Sequence, residues 1–125
     1  MTTAPLDSLT PDNVGTFSIL TESGTTYLFV ATLAHRWYMY RTPRHSDILT
    51  TLYGDETWLP FYIGPIDAIR VGAHATLLFD KPELVERFGR HSYLGTSRIT
   101  ARVKEIWSLT KLPAGIPQPG TEETE

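Results

Sequence analysis

A chain of 125 residues with a formal net charge of −3 and no cysteine is long enough for one domain with a real core, held together by packing. The missing cysteines exclude a disulfide framework, a thiolate nucleophile and a cysteine-based zinc site, which fits a cytoplasmic setting. Before residue 14 and after Lys111 every charged side chain is acidic, so the middle is mildly basic, far from the footprint of a protein that lives on a phosphate backbone.

Residues 1–13 lack the basic start and apolar run of a leader, and no later stretch approaches the roughly 20 apolar residues of a membrane span. The chain therefore reads as soluble, with no membrane partner. Pro5, Pro11 and scattered Thr and Ser make 1–13 a flexible segment, in which Leu6 and Leu9 could dock on the domain.

From residue 15 strands dominate. Phe17 and Ile19 alternate with Thr16 and Ser18 up to Thr21, and Glu22, Ser23 and Gly24 supply a turn before residues 25–33 resume in Thr, Tyr, Phe and Val. That is a hairpin signal. In its second arm Tyr27, Phe29, Ala31 and Leu33 share one face while Leu28 and Val30 lie on the other, as in a central strand covered on both sides. Residues 37–41 form a short aromatic strand, followed by a loop over 42–47 marked by Pro43, Ser46 and Asp47. Residues 48–53 suit a strand or one helical turn equally, and Gly54, Asp55 and Glu56 make a turn.

Residues 58–63 return to strand composition, with Pro60 placing them at an edge, and Gly64 and Pro65 break the run. Residues 66–71 are apolar and β-branched. Gly72 then marks a bend or barrel corner, and Ala73, Ala75, Leu77 and Phe79 share one face of the next strand. A helix of two turns at most fits 82–88, with Asp80 to cap it, Pro82 in its first turn and Gly89 to stop it.

Strand character resumes over 92–107. Ile99, Ala101 and Val103 alternate with Arg98, Thr100 and Arg102, an apolar face against a basic one, and Ile106 falls on the opposite parity to Val103, which requires a bulge near Lys104 and Glu105. Pro113, Gly115, Pro117, Pro119, Gly120 and a run of acids give residues 112–125 the composition of a disordered acidic tail. The expectation is one all-β domain over 14–111: a small antiparallel barrel or sandwich of about six strands, a partly open barrel being the better fit. Its predicted core is Phe17, Ile19, Tyr27, Phe29, Leu77, Phe79, Ile99 and Val103.

The run from Phe17 through Thr21-Glu22-Ser23-Gly24 to Tyr27, the Val71-Gly72 step and the closing Thr96-Ser97-Arg98-Ile99-Thr100-Ala101-Arg102-Val103-Lys104-Glu105-Ile106 resemble a group of small β-rich proteins of actinobacteria and their phages. The resemblance covers both ends of the domain and not residues 42–56. It implies a β domain of this size from an actinobacterial or phage source and brings no activity with it.

Chemistry-bearing motifs are sparse. His35, His45, His74 and His91 do not occur at metal-ligand spacing, and Asp47, Asp55 and Glu56 near His45 have no nucleophile or oxyanion device beside them. The scattered glycines form no phosphate loop. No catalytic, metal or cofactor residues are therefore assigned. Trp37, Tyr38 and Tyr40, flanked by Arg36, Arg41 and Arg44, could stack single-stranded bases while guanidinium groups take phosphates. The favoured alternative is a non-catalytic interaction module for a protein partner or a second copy, using Tyr38 and Tyr40 with the basic stripe Arg98, Arg102 and Lys104. An enzyme with a site assembled from separated residues ranks third.

Overall fold

The computed structural model of the protein describes residues 4–42, 56–62, 68–79, 86–89 and 96–119. The Phe17 and Ile19 alternation builds β3 (Gly15–Thr21), antiparallel to β4 (Thr26–Ala31), which in turn pairs with β5 (Trp37–Thr42). In the expected hairpin the Gly24 N–H donates to the Thr21 carbonyl at 3.0 Å, and the Thr21 N–H donates to the Thr25 carbonyl at 3.0 Å. Gly24 has φ +92°, the left-handed residue that a three-residue hairpin loop requires. The β4–β5 connection repeats this pattern: His35 N–H donates to the Thr32 carbonyl and Thr32 N–H to the Arg36 carbonyl, both at 2.9 Å. Here His35, at φ 60°, occupies the glycine position.

The ladder continues from β5 to β6 (Trp58–Phe61), the edge strand that Pro60 foretold. Beyond it, Tyr62 and Leu78 form a single antiparallel bridge, their N–H groups donating to each other's carbonyls at 2.8 and 3.4 Å. Leu78 belongs to β8 (His74–Phe79), which pairs with the first half of β9 (Thr96–Leu109), and the second half of β9 returns to β3. Among the described residues one bridge pair stands in place of a ladder, and the sheet curls towards a barrel without a closing ladder there.

Gly72, at φ +91°, is the third residue of a turn closed by the Ala73 N–H on the Arg70 carbonyl at 3.3 Å. It joins β7 (Ile69–Arg70) to β8. The N-terminal segment expected to be flexible instead carries β1 (Ala4–Leu6) on the outer edge of β9 and β2 (Ser8–Leu9) on β7. Leu9 is 0 % exposed, and its burial offsets the entropy cost of ordering the segment that carries it.

Inside, Phe29 lies 4.8 Å from Phe61 between ring centroids, and Trp37 closes on Phe17, Phe29 and Phe61. Seven of the eight expected core residues, Phe17, Ile19, Tyr27, Phe29, Leu77, Phe79 and Val103, are buried there. Ile99 is not; it is 70 % exposed, and Thr100 is buried in its place. The cause is a shift in register between His74↔Arg102 and Thr76↔Ile99, which inserts one extra residue in β9. The Thr100 hydroxyl stitches this bulge, accepting the Ala75 N–H at 3.0 Å and donating to the Ala101 carbonyl at 2.6 Å. A second shift, from Leu20↔Glu105 to Thr21↔Val103, leaves Lys104 unpaired and is the bulge expected there.

Of the helix expected over 82–88, residues 86–89 are described and helical, with Gly89 at φ +76°; the rest of it, the loop expected over 43–47 and the strand or helical turn expected over 48–53 lie outside the described residues. No helix among the described residues is long and apolar enough to cross a membrane.

Candidate interaction surface

Strand alternation divides β5 into two rows. Trp37, Met39 and Arg41 turn inward and are buried, while Tyr38 and Tyr40 face out and are half-buried. Residues directly opposite in an antiparallel ladder share a face, so Tyr40 lies between Leu28 and Trp58, and Tyr38 between Val30 and Pro60. The Tyr40 and Trp58 rings are 5.3 Å apart at 58°. Leu28 and Trp58 are only 6 % and 8 % exposed although this row faces away from the core.

Trp58 is covered at least partly by the chain's own C-terminal segment. After β9 a turn closes on the Ile116 N–H and the Pro113 carbonyl at 3.3 Å, with Gly115 at φ +87°. The Trp58 indole Nε1–H then donates to the Pro117 carbonyl at 2.7 Å. A buried indole N–H without an acceptor, as at Trp37, costs about 1–3 kcal/mol, and this bond spares Trp58 that cost. Leu112, Ile116 and Pro119 are half-buried along the same segment. Within the stretch read as a disordered tail, residues 112–119 are thus described, with a defined turn and a defined acceptor.

Next to this row, a groove of about 690 Å³ opens at the β4–β5 end, with Asp12, His35, Arg36, Tyr38, Pro60 and Tyr62 among its walls. Tyr38 and Pro60 belong to both features, while Trp37 and Phe61 of the inward parity also line the groove, which therefore adjoins the row at the strand ends. His35 holds the left-handed conformation that costs an L-residue about 1–2 kcal/mol, and it does so at the rim.

The basic residues proposed to join Tyr38 and Tyr40 do not stand with them. Two strands, β4 and β3, separate β5 from β9 on this side, about 14 Å at about 4.8 Å per strand. Arg98 shares the inward parity of Thr100, half-buried with its guanidinium 4.9 Å from the Phe79 ring centroid. It lines a separate cavity of about 80 Å³ with Thr21, Ser23, Thr25, Tyr27 and Arg41. Arg102 and Lys104 are exposed. The two bulges break the basic stripe into residues of different orientation.

Sequence reasoning missed Trp58 and Pro117. Trp58 and Pro60 share a parity, and the spacing Ile116-Pro117-Gln118-Pro119 was legible as a proline-rich segment, but their meeting across the fold was not. Among the described residues no three His, Cys, Asp or Glu side chains converge to hold a metal ion; His74 bonds the Thr100 carbonyl through Nδ1 at 2.7 Å, and His45 and His91 lie outside the described residues.

Comparison with known proteins found no matching family model, curated protein or solved structure. Fold and surface together define a small antiparallel all-β domain whose outer aromatic row is in contact with a proline-rich segment.

Proposed function

We propose that this domain is a non-catalytic interaction module that binds a segment of a protein partner on the outer row formed by Tyr38, Tyr40 and Trp58. The supporting observation is the Trp58 bond to the Pro117 carbonyl, a directional contact between one member of this row and an extended stretch of polypeptide. A recognition surface needs an apolar body with a polar handle, and tyrosine and tryptophan supply both at low entropic cost. Self-association remains within this reading, since a second copy brings the same segment.

Single-stranded nucleic-acid binding draws less support. Of the three arginines flanking the aromatic strand, Arg41 is turned into the barrel and is 7 % exposed, Arg36 stands at the groove, and Arg44 lies outside the described residues. Among the described residues only Arg36 of the three stands near the platform, and one guanidinium group supplies few of the phosphate contacts that dominate such affinity.

The test is capture of a partner from nuclease-treated and untreated source extract by the unaltered chain and by Tyr40→Ala and Trp58→Ala chains shown to be folded. A protein recovered by the first and lost by both variants supports the proposal. Recovery unaffected by either substitution, or lost on nuclease treatment alone, overturns it.

A further inference from the structure

We infer that residues 112–119 are an internal ligand of the Tyr40–Trp58 row, and that the external partner is an extended proline-rich segment which binds by displacing them. This rests on the interaction reading above and names the partner's chemistry.

The contact is of a transferable kind. Trp58 donates to a main-chain carbonyl, a group every peptide carries, and among the described residues 116–119 form no ladder with the sheet. What distinguishes this segment is proline. Pro117 and Pro119 have no N–H and a fixed φ, so the segment is extended before it binds, loses little conformational freedom on seating, and presents carbonyl acceptors without matching donors. The indole is a donor only, so segment and row are complementary in hydrogen-bonding sense. Pyrrolidine rings lie well on aromatic faces, and the Tyr40 and Trp58 rings, packed against each other 5.3 Å apart at 58°, form one aromatic surface for them.

The tether explains how such a site is kept in check. The turn at Gly115 is closed by one bond of 3.3 Å, a light hinge for a segment held beside its own receptor. A tethered ligand acts at an effective concentration of order millimolar, so an external segment of similar intrinsic affinity competes poorly until it offers more contacts. Tyr38, Pro60 and the adjoining groove are where a longer partner would find them. A ligand-competent face that is only fractionally open weakens apparent affinity by that fraction.

The experiment uses full-length ¹⁵N-labelled chain, unaltered and with Ile116→Asp and Pro117→Asp introduced together to unseat the segment. The probe is a synthetic peptide of residues 112–119, with a control peptide in which its prolines are replaced by alanine. The indole N–H resonance of Trp58 reports the seat, and that of Trp37, buried in the core, reports the fold. The substitutions are expected to move the Trp58 resonance and leave that of Trp37. The peptide should return Trp58 towards its original position and bind the unseated chain about tenfold or more tightly than the unaltered one, as relief from a millimolar tether implies.

A Trp58 resonance that the substitutions do not move, equal affinity for both chains, or equal binding of the alanine control overturns the inference. A Trp58 resonance that shifts with protein concentration places the segment on a second copy and overturns the internal assignment. Should the substituted chain fail to fold, hydrogen exchange in the unaltered chain decides: the Trp58 indole should exchange more slowly than that of Trp107, whose bond is to the exposed Glu105 carboxylate, and equal exchange rejects the seat. If the peptide fails while partner capture still depends on Tyr40 and Trp58, only the internal-ligand inference is lost.

Discussion

The bulge at Thr100 makes a prediction that runs against the plain periodicity of the strand. In Thr100→Val the side chain keeps its shape and loses its hydroxyl, so the Ala75 N–H, held at 3.0 Å in a buried site, loses its acceptor. An unsatisfied buried donor costs about 1–3 kcal/mol, and loss of the bond to the Ala101 carbonyl adds to it, so about 2 kcal/mol is expected in all. For a domain of this size that lowers Tm by roughly 6–10 °C. Ile99→Thr, at a side chain 70 % exposed, should stay within about 0.5 kcal/mol. The assay is urea unfolding followed by tryptophan fluorescence, with a thermal melt by circular dichroism. Regular alternation requires the reverse order, with Ile99 costly and Thr100 silent. Observing that order, or equal effects at the two positions, would refute the bulge and the inward turn of Arg98 with it.

Three further outcomes are expected. Phe29→Ala, at 1 % exposure among Tyr27, Trp37 and Phe61, should cost about 3–5 kcal/mol by urea unfolding, and a loss under 1 kcal/mol would contradict the placing of the core. Leu9→Ala should cost about 2–5 kcal/mol in the same assay, a loss that a loose N-terminal arm would not show. At His35, with φ 60°, glycine should leave stability unchanged or raise it by up to about 1 kcal/mol, while β-branched valine should lower it; thermal melts in which the two substitutions behave alike would refute the left-handed turn.

Local signals were legible where one strand and its neighbour sufficed. The Glu22-Ser23-Gly24 turn, the period-two face of Phe17 and Ile19, the edge position of Pro60 and the bulge demanded by Val103 and Ile106 each follow from turn chemistry or side-chain parity. The second bulge left no such mark, because Arg98 to Val103 alternates without a fault. What decides there is the register of β8, which forces one extra residue into β9 and inverts Ile99 and Thr100. Leu9 was named as a residue that could dock, but its place was not legible for a similar reason: its register partner, Ile69 of β7, lies sixty residues away. The proposed surface was half legible. Tyr38 and Tyr40 follow from alternation, while the separation of Arg98, Arg102 and Lys104 from them follows from strand order, which no single strand encodes.

Composition alone also misjudged what residues 112–119 could do, because it asks whether a segment can bury itself and not whether the rest of the chain has something to cover. An outward row of Val30, Tyr38, Leu28, Tyr40 and Trp58 would be an apolar patch of the kind soluble domains seldom leave open. Shielding such a patch takes apolar contact and, over Trp58, an acceptor for the indole N–H. The bond from the Trp58 indole to the Pro117 carbonyl asks for more, since it fixes the direction and register of what lies on the row. Proline on either side of Gln118 meets that demand with little ordering cost, whereas a shield gains nothing from it. On the proposed reading, the directional bond, more than the burial, is what makes the row a binding site with its ligand attached, and the competition between peptide and segment is what tests it.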